Sequence, residues 1–395
     1  MRVLIGTHYF ESRRGGIEIV AGQLARQFRQ RGIAVTWLAS DADPSPPAAC
    51  GEAVPLPAST ILERRSGLPM PLPLPAAFGR IWRAVGRADV VQLHDSLYPT
   101  NVAILIAARL RAKPVVVVQH IGAVPYRSRL LRLLMAVANR CVARPVLASA
   151  DRVVFISRTS AAHFASLRLR RAPGFITNGV DAGIFRPRPR DLPRAALRRA
   201  LGLPPERPIA LFVGRFVEKK GLAVLERLAR ARPEITFAFA GRGPLDPAAW
   251  TLPNVHVRRD LAGADLARLY QASDIFVLPS CGEGLPLVVQ EALACGLPVL
   301  CGAESAAADE GLSRLVTGLP VTVDDPGRTA AAFEAALVAC IARADDPAAA
   351  EARAAACATL YDWARAAAAH ASVLDDLVAY AGRAALPETP PDRAG

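Results

Sequence analysis

The sequence predicts an α/β protein made of two Rossmann-like, doubly wound parallel-sheet domains. Short apolar runs recur along the chain with helical stretches between them. The length, 395 residues, suits two domains of ordinary size, and a Pro- and Arg-rich link divides the runs into two sets of five. Hydrophobic residues make up 52% and charged residues 21%, which provides for a large core and excludes global disorder.

In the first half the runs are residues 3–6, 33–39, 90–93, 115–118 and 153–156; in the second they are 209–213, 235–240, 255–257, 275–278 and 298–300. Continuous β-branched runs fit parallel strands buried on both faces. Their alternation with helices fits βαβ units. The link, 183–208, holds six prolines among many arginines, the composition of an interdomain connection. It sets the expected division: a first domain at 1–185, a second at 186–365, and a C-terminal helix and tail at 366–395 that packs back on the first. Residues 44–75 carry nine prolines in 32 positions and are expected to form a long surface excursion. Residues 330–385 are Ala-rich and helical, and the final PETPPDRAG is expected to fray. No window approaches 18 uncharged apolar residues, so no transmembrane helix is expected. The opening MRVLIGTHYF is too short in apolar run for a signal-peptide core and reads as the first strand. Seven scattered cysteines without C-x-x-C or zinc spacing point to reduced thiols in a cytoplasmic protein.

The net charge is +13, unevenly placed. Residues 1–185 hold 24 Lys+Arg against 10 Asp+Glu, whereas 186–395 hold 24 against 25. The excess therefore belongs to the first half, which suggests an anionic partner there. Nucleic acid is disfavoured, because no helix-turn-helix or zinc motif is present and aromatics are only 6%. Anionic phospholipid headgroups are preferred over a merely soluble basic surface. Residues 127–144, RSRLLRLLMAVANRCVAR, form a basic amphipathic helix with two open readings: a helix lying in a membrane interface, or one packed on the sheet with arginines outward.

Three segments carry candidate chemistry. Gly15 and Gly16 follow the first strand and open a helix, where backbone amides and the helix N-terminus favour an anion. In IALFVGRFVEKKG, Arg215 lies just past a strand and Lys220 precedes a helix, so the pair can neutralise a diphosphate; Lys219 reads as solvent-facing. In EGLPLVVQE, Glu283 and Glu291 bracket a helix start. They are too far apart to share a proton but can hold two hydroxyl-bearing parts of one ligand, with Gly282 and Gly284 letting backbone amides approach. Neither G-x-G-x-x-G nor G-K-[ST] occurs, which weakens a dinucleotide enzyme and excludes a P-loop.

In this order and spacing the motifs resemble those of the retaining bacterial glycosyltransferases called group 1 or family 4, whose GT-B fold sets two Rossmann-like domains across a central cleft. The marks are E-x7-E at Glu283 and Glu291, GR-x4-KG at Arg215 and Lys220, GGIE at 15–18, NGVD-x3-F-x-P from Asn178 to Pro187, and GRGP at 241–244. The resemblance covers roughly residues 2–380. It implies that Glu291 holds the ribose hydroxyls of a nucleotide-sugar donor. Glu283 contacts the transferred sugar, with the amides of Gly284 and Leu285 nearby. Arg215 and Lys220 grip the diphosphate, Gly16 approaches it from the other domain, and Gly241 belongs to the donor side. His120, at the end of VVVVQH, matches a histidine beside the donor sugar, the alternative being a hydrogen-bonded strand-end residue. His94 and Asp95, ending another strand, are assigned to the acceptor. The implied catalytic set is Glu283, Arg215, Lys220 and His120.

The implied reaction separates an anomeric carbon from a diphosphate, so fixed positive charge at the phosphates stabilises the transition state differentially. No cofactor and no metal are expected; the donor is a UDP- or GDP-linked sugar. Asp41 and Asp43 match D-x-D, the metal-diphosphate signature of the other glycosyltransferase fold, but beside a Pro-rich loop this is taken as coincidence. The expected acceptor is a glycan or lipid-linked intermediate of bacterial cell-surface polysaccharide, met at the inner face of the plasma membrane, with peripheral contact to anionic lipid and no nucleic acid. The alternatives are a nucleotide-sugar epimerase or phosphorylase on the same architecture, and a non-catalytic partner subunit.

Overall fold

The computed structural model describes residues 1–66, 69–122, 128–322, 324–342 and 346–384. The tail PETPPDRAG lies outside them. The first half runs β1 (Arg2–Gly6), α1 (Gly16–Gln30), β2 (Ala34–Ser40), β3 (Glu52–Leu56), a small hairpin of β4 (Ala58–Ser59) and β5 (Leu72–Pro73) around α2 (Ile61–Ser66), α3 (Pro75–Arg87), β6 (Val90–His94), α4 (Pro99–Leu110), β7 (Val115–Gln119), α5 (Arg129–Ala138), α6 (Arg144–Ser149), β8 (Arg152–Phe155), α7 (Arg158–His163) and β9 (Gly174–Phe175). The second half runs α8 (Arg194–Ala200), β10 (Ile209–Val213), α9 (Leu222–Ala231), β11 (Thr236–Ala240), β12 (Val255–Arg258), α10 (Gly263–Ala272), β13 (Ile275–Leu278), α11 (Leu287–Ala294), β14 (Val299–Gly302), α12 (Ala303–Ala306), α13 (Glu310–Ser313), β15 (Thr317–Leu319), α14 (Pro326–Ile341), α15 (Pro347–Leu360) and α16 (Trp363–Ala384).

Each half forms one parallel sheet, ordered β3-β2-β1-β6-β7-β8-β9 and β12-β11-β10-β13-β14-β15. All ten strands expected from the apolar runs are present. In both sheets the order reverses beside the half's first central strand, at β1/β6 and at β10/β13. Ligands of doubly wound sheets bind at such switch points, outside the carboxyl ends of the strands.

Residues 44–75 are not the plain surface excursion expected from their prolines. They contain β3, which adds to β2 in parallel register from Thr36↔Glu52 to Ser40↔Leu56. Pro55 is tolerated because β3 is an edge strand. The entry is tight: Gly51 has φ +102, and a Cβ there would lie 2.5 Å from the Val35 carbonyl oxygen. The Arg-rich link likewise includes a docked helix. In α8, Arg198 is buried and donates to Asp274 Oδ2 at 2.5 Å and to the Ala272 carbonyl at 2.9 Å. Asp274 also accepts from Arg194 at 2.8 Å and from the Ile209 amide at 2.6 Å, which ties the link to the start of β10.

The chain crosses between the halves near Val180 and Asp362, which form a parallel bridge. Beyond the second crossing, α16 lies against α1 of the first half. Arg31 donates to the Ala364 carbonyl at 2.5 Å, and Leu374 and Leu377 are buried. Burial of each such leucine is worth about 1.5–3 kcal/mol.

The basic helix does not pack as an ordinary sheet-covering helix. No residue of α5 is buried, and Leu130, Leu133, Leu134 and Val137 are more than half exposed. A π-helical turn at Asn139–Ala143 separates it from α6. Among the described residues, no helix is long and apolar enough to cross a membrane.

Candidate active site

The carboxyl ends of both sheets open on one cleft of about 370 Å³. Its second-half wall begins after β10. Gly214 has φ +152 and is followed by Arg215, which is exposed and makes no ion pair among the described residues. The chain then makes a 3-10 turn, Glu218–Lys220, ended by Gly221 at φ +77. A Cβ on Gly221 would lie 2.1 Å from the Pro279 carbonyl oxygen, so only glycine lets this turn seat against the loop after β13. Glu283 comes from that loop. Its Oε2 lies 3.0 Å from Lys220 Nζ and its Oε1 3.4 Å from Lys219 Nζ. Burial alone would push the Glu283 carboxyl up, but the two ammonium groups outweigh it and hold the pKa below the usual range. Lys220 is lowered, by burial first and by Lys219 and Arg215, with Glu283 opposing. Lys219 is therefore not solvent-facing as its position suggested: the tight turn swings both lysines onto one carboxylate.

Glu291 sits on α11, whose N-terminus faces the cleft. Tyr270 OH donates to Glu291 Oε2 at 2.9 Å. Burial raises Glu291 to about 7, against the lowering effect of that hydrogen bond. The two glutamates thus differ: Glu283 is held ionised by its cations, and Glu291 titrates near neutrality.

Two glycines near these carboxylates serve purposes other than the expected one. The Gly282 amide is taken by Glu304 Oε2 at 2.8 Å. A Cβ on Gly284 would lie 2.0 Å from the His120 carbonyl oxygen, so this glycine lets the two halves touch across the cleft floor. Gly241 does not line the cleft. It has φ +151 and lies under the β10 loop, where a Cβ would be 2.0 Å from the Gly214 carbonyl oxygen. Its part in the site is to support that loop.

On the first-half wall, Gly16 begins α1, lines the cleft and has open space where a Cβ would stand. Glu18 of the same motif is buried and bonds His8 Nε2 at 2.9 Å, and the His8 ring stacks on Tyr98 at 3.7 Å. Asp95 lines the cleft in a left-handed conformation, φ +70, and accepts from the Ser96 amide at 2.8 Å and Gln119 Nε2 at 3.3 Å. Burial raises its pKa, against these hydrogen bonds. His120 lines the cleft beside Gly284 and Leu285. His94 does not: it is fully buried behind His120, with His94 Nδ1 3.0 Å from His120 Nε2. Burial drives His94 well below its ordinary pKa and His120 to about 3.

The structure thus brings Gly16, Asp95, His120, Arg215, Lys220, Glu283, Gly284, Leu285 and Glu291 to one cleft, and leaves out His94 and Gly241. Lys219, His8, Glu18 and Tyr98 also line it, though the sequence reading assigned none of them to the site. Glu18 was visible as the last residue of GGIE; His8 and Tyr98 had no sequence signal. Asp41 accepts from the Ala58 amide at 3.2 Å and Asp43 pairs with Arg13, so both carboxylates of the D-x-D string have protein partners, and neither aspartate lines the cleft. Among the described residues, no group of three His, Cys, Asp or Glu could hold a metal ion.

Comparison with known proteins agrees with this geometry. The family Glycosyltransferase Family 4 matches residues 14–183 and Glycosyl transferases group 1 matches residues 207–339. The chain is 36% identical over 196 residues to a D-inositol 3-phosphate glycosyltransferase of Mycolicibacterium gilvum, covering 46% of this chain and 40% of that one. It therefore spans less than half the length of that relative. It is 28% identical over 324 residues to a GDP-mannose-dependent alpha-(1-6)-phosphatidylinositol monomannoside mannosyltransferase of Mycolicibacterium smegmatis, covering 76% of this chain and 80% of that one. In fold it is similar to sucrose-phosphate synthase of Thermosynechococcus elongatus, with a TM-score of 0.74 at 19% identity over 96% of this chain and all of the other. Two facing parallel-sheet domains, the cation-carboxylate cleft between them and matches across both halves place the chain in the group 1, family 4 glycosyltransferases of GT-B fold.

Proposed function

We propose that the protein is a retaining glycosyltransferase that moves a sugar from a nucleoside-diphosphate donor to a hydroxyl of a glycan or lipid-linked acceptor. The observation that carries this reading is the pairing of Lys219 and Lys220 with Glu283, with Arg215 near Lys220 in the same cleft and Gly16 at the start of α1 on the other wall. Three cations and a helix N-terminus converge where a diphosphate would lie. In this reading Glu291 holds the ribose hydroxyls and Glu283 the transferred sugar. Glu283 is tied to two lysines, which suits a binding group better than a nucleophile. The departing phosphate oxygen then takes the acceptor's proton, and configuration is retained. The protein's own cations neutralise the diphosphate, so transfer is expected without a metal.

A panel of UDP, GDP, ADP and their common sugars, read by thermal shift with and without Mg²⁺, tests this. One nucleotide class should stabilise wild type independently of Mg²⁺ and stabilise Glu291→Ala much less. A nucleotide that binds while no sugar is transferred or hydrolysed would favour the non-catalytic subunit.

A lipid-linked acceptor in cell-surface polysaccharide assembly, met at the inner face of a bacterial membrane, is favoured by one further observation. The unburied leucines of α5 are interleaved with Arg129 and Arg132 on the half that carries the basic excess. The same reading is supported by the mannosyltransferase relative, named for its action on a phosphatidylinositol monomannoside. Cosedimentation with phosphatidylglycerol vesicles should fall with salt and with Leu130→Ser/Leu134→Ser; equal binding to neutral vesicles would overturn it.

A further inference from the structure

Behind His120 lies a chain of buried side chains that the reaction as described does not use. Gln92 and His94 stand two apart on β6, on one face of the strand. Gln92 Nε2 lies 3.0 Å from His94 Nε2, and His94 Nδ1 lies 3.0 Å from His120 Nε2. Gln92 and His94 are fully buried, and His120 is buried but for its cleft edge. We propose that Gln92 and His94 are positioning residues that fix the tautomer of His120, so that His120 presents an Nδ1–H donor to an oxygen of the bound sugar. This deepens the reading of the cleft as a donor site and rests on it for the identity of the acceptor oxygen.

The assignment follows from donor and acceptor counting. A carboxamide nitrogen only donates, so His94 Nε2 accepts. A neutral imidazole carries one N–H, so the proton of His94 is on Nδ1 and is given to His120 Nε2. That nitrogen accepts, which leaves the proton of His120 on Nδ1, the nitrogen without a protein hydrogen bond among the described residues. Turning the Gln92 amide over would reverse the whole chain. It would also leave a buried NH2, with two donors, where the present orientation leaves only the Oε1 acceptor unpartnered. Both rings are neutral because burial disfavours the imidazolium, with His370 adding to the effect at each. A neutral donor suits this place. It can polarise or orient a sugar hydroxyl without setting a positive charge beside an anomeric carbon that becomes cation-like in the transition state.

Nitrogen-15 NMR of the full chain labelled at histidine side chains reads the tautomers directly. In wild type, His94 and His120 are both expected as Nδ1–H forms. Gln92→Glu replaces the donor by an acceptor and is expected to move the proton to Nε2 on both rings. Gln92→Leu, the variant to use if the buried acid prevents folding, is expected to leave His120 as a mixture. Turnover of the donor should fall about ten- to a hundredfold in Gln92→Glu, while affinity for the nucleoside diphosphate alone, whose proposed contacts do not include His120, stays near that of wild type. An Nε2–H form of His120 in wild type, or tautomers that do not move in either variant, overturns the proposal. Wild-type tautomers as stated, in a protein that binds no UDP or GDP, would keep the relay and sink the donor-site reading instead.

Discussion

The two walls of the cleft solve different electrostatic problems with different side chains. The second-half wall is charged: Lys219 and Lys220 close on Glu283, with Arg215 beside them. The first-half wall carries Arg13, Arg14 and Glu18 as well, but the residue against Gly284 is His120, whose imidazole burial keeps neutral, with Asp95, whose pKa burial raises, on the same wall. Charge is worth having where a leaving group gathers negative charge. A neutral, directional hydrogen bond is worth having where the sugar turns cation-like. The difference teaches that one cleft can serve both ends of a breaking bond if the lysine pair and the neutral hydrogen-bond donor stand on different walls.

The comparison breaks most visibly at Lys220. Lys220→Ala should lower transfer by about a hundredfold, on the order of 3 kcal/mol in kcat/KM, because in the proposed reading it removes a fixed charge from the leaving group. It also leaves Glu283 with Lys219 alone. A loss of less than about threefold in single-turnover transfer would show that the charged wall is not the phosphate wall.

Glu291 gives the next largest effect, and on stability its sign opposes that on binding. Its pKa of about 7 in the fold lies above the ordinary 4.5, so the folded state disfavours the ionised form. The stability that the neutral carboxyl contributes is complete below pH 4.5 and is lost as pH rises through about 7. Glu291→Gln has no such loss. It should exceed wild type in unfolding free energy by on the order of 3 kcal/mol above about pH 8, and match it near pH 4. Over the same pH range it should bind nucleotide more weakly if Glu291 holds the ribose as proposed, because a carboxylate accepts two hydroxyls and an amide oxygen does so less well. Denaturant melts at both pH values check the first expectation and calorimetry the second. A pH-independent stability difference would place Glu291 among ordinary surface glutamates.

Gly16 sharpens the comparison with the smallest effect. A Cβ there meets nothing within 4 Å, so Gly16→Ala should keep or slightly raise stability, by up to about 0.5–1 kcal/mol of helix propensity. The added methyl faces the cleft and should weaken diphosphate binding by a few-fold. Unchanged affinity would mean that the start of α1 stands back from the phosphates.

Much of this was legible beforehand. Nine of the ten strands read from apolar runs are central and follow from them because a strand buried on both faces admits little else; β12, an edge strand, was marked by its Val255 and Val257. The other edge strands, β3, β9 and β15, did not, since an edge needs only one ladder partner and tolerates Pro55 or a run of two or three residues. In the site, Arg215, Lys220, Glu283 and Glu291 were readable from spacing after strand ends. Lys219 was misread because adjacent residues normally diverge; here a 3-10 turn locked by Gly221 brings both to one carboxylate. His94 was misread in the other direction: ending a strand next to Asp95 says nothing about which of the two turns inward, and the left-handed backbone at Asp95 decides it.

By itself the sequence determined the local matters: which segments are strands, where the chain may turn, and which charges stand at strand ends. Those follow from short-range sterics and from solvent excluding apolar runs. Tertiary structure decided the relations between distant segments. It placed His94 behind His120, set Gly284 against the His120 carbonyl, laid Gly241 under the β10 loop and brought α16 back onto α1. These contacts join residues far apart in the chain, and only close packing of the finished sheets selects them.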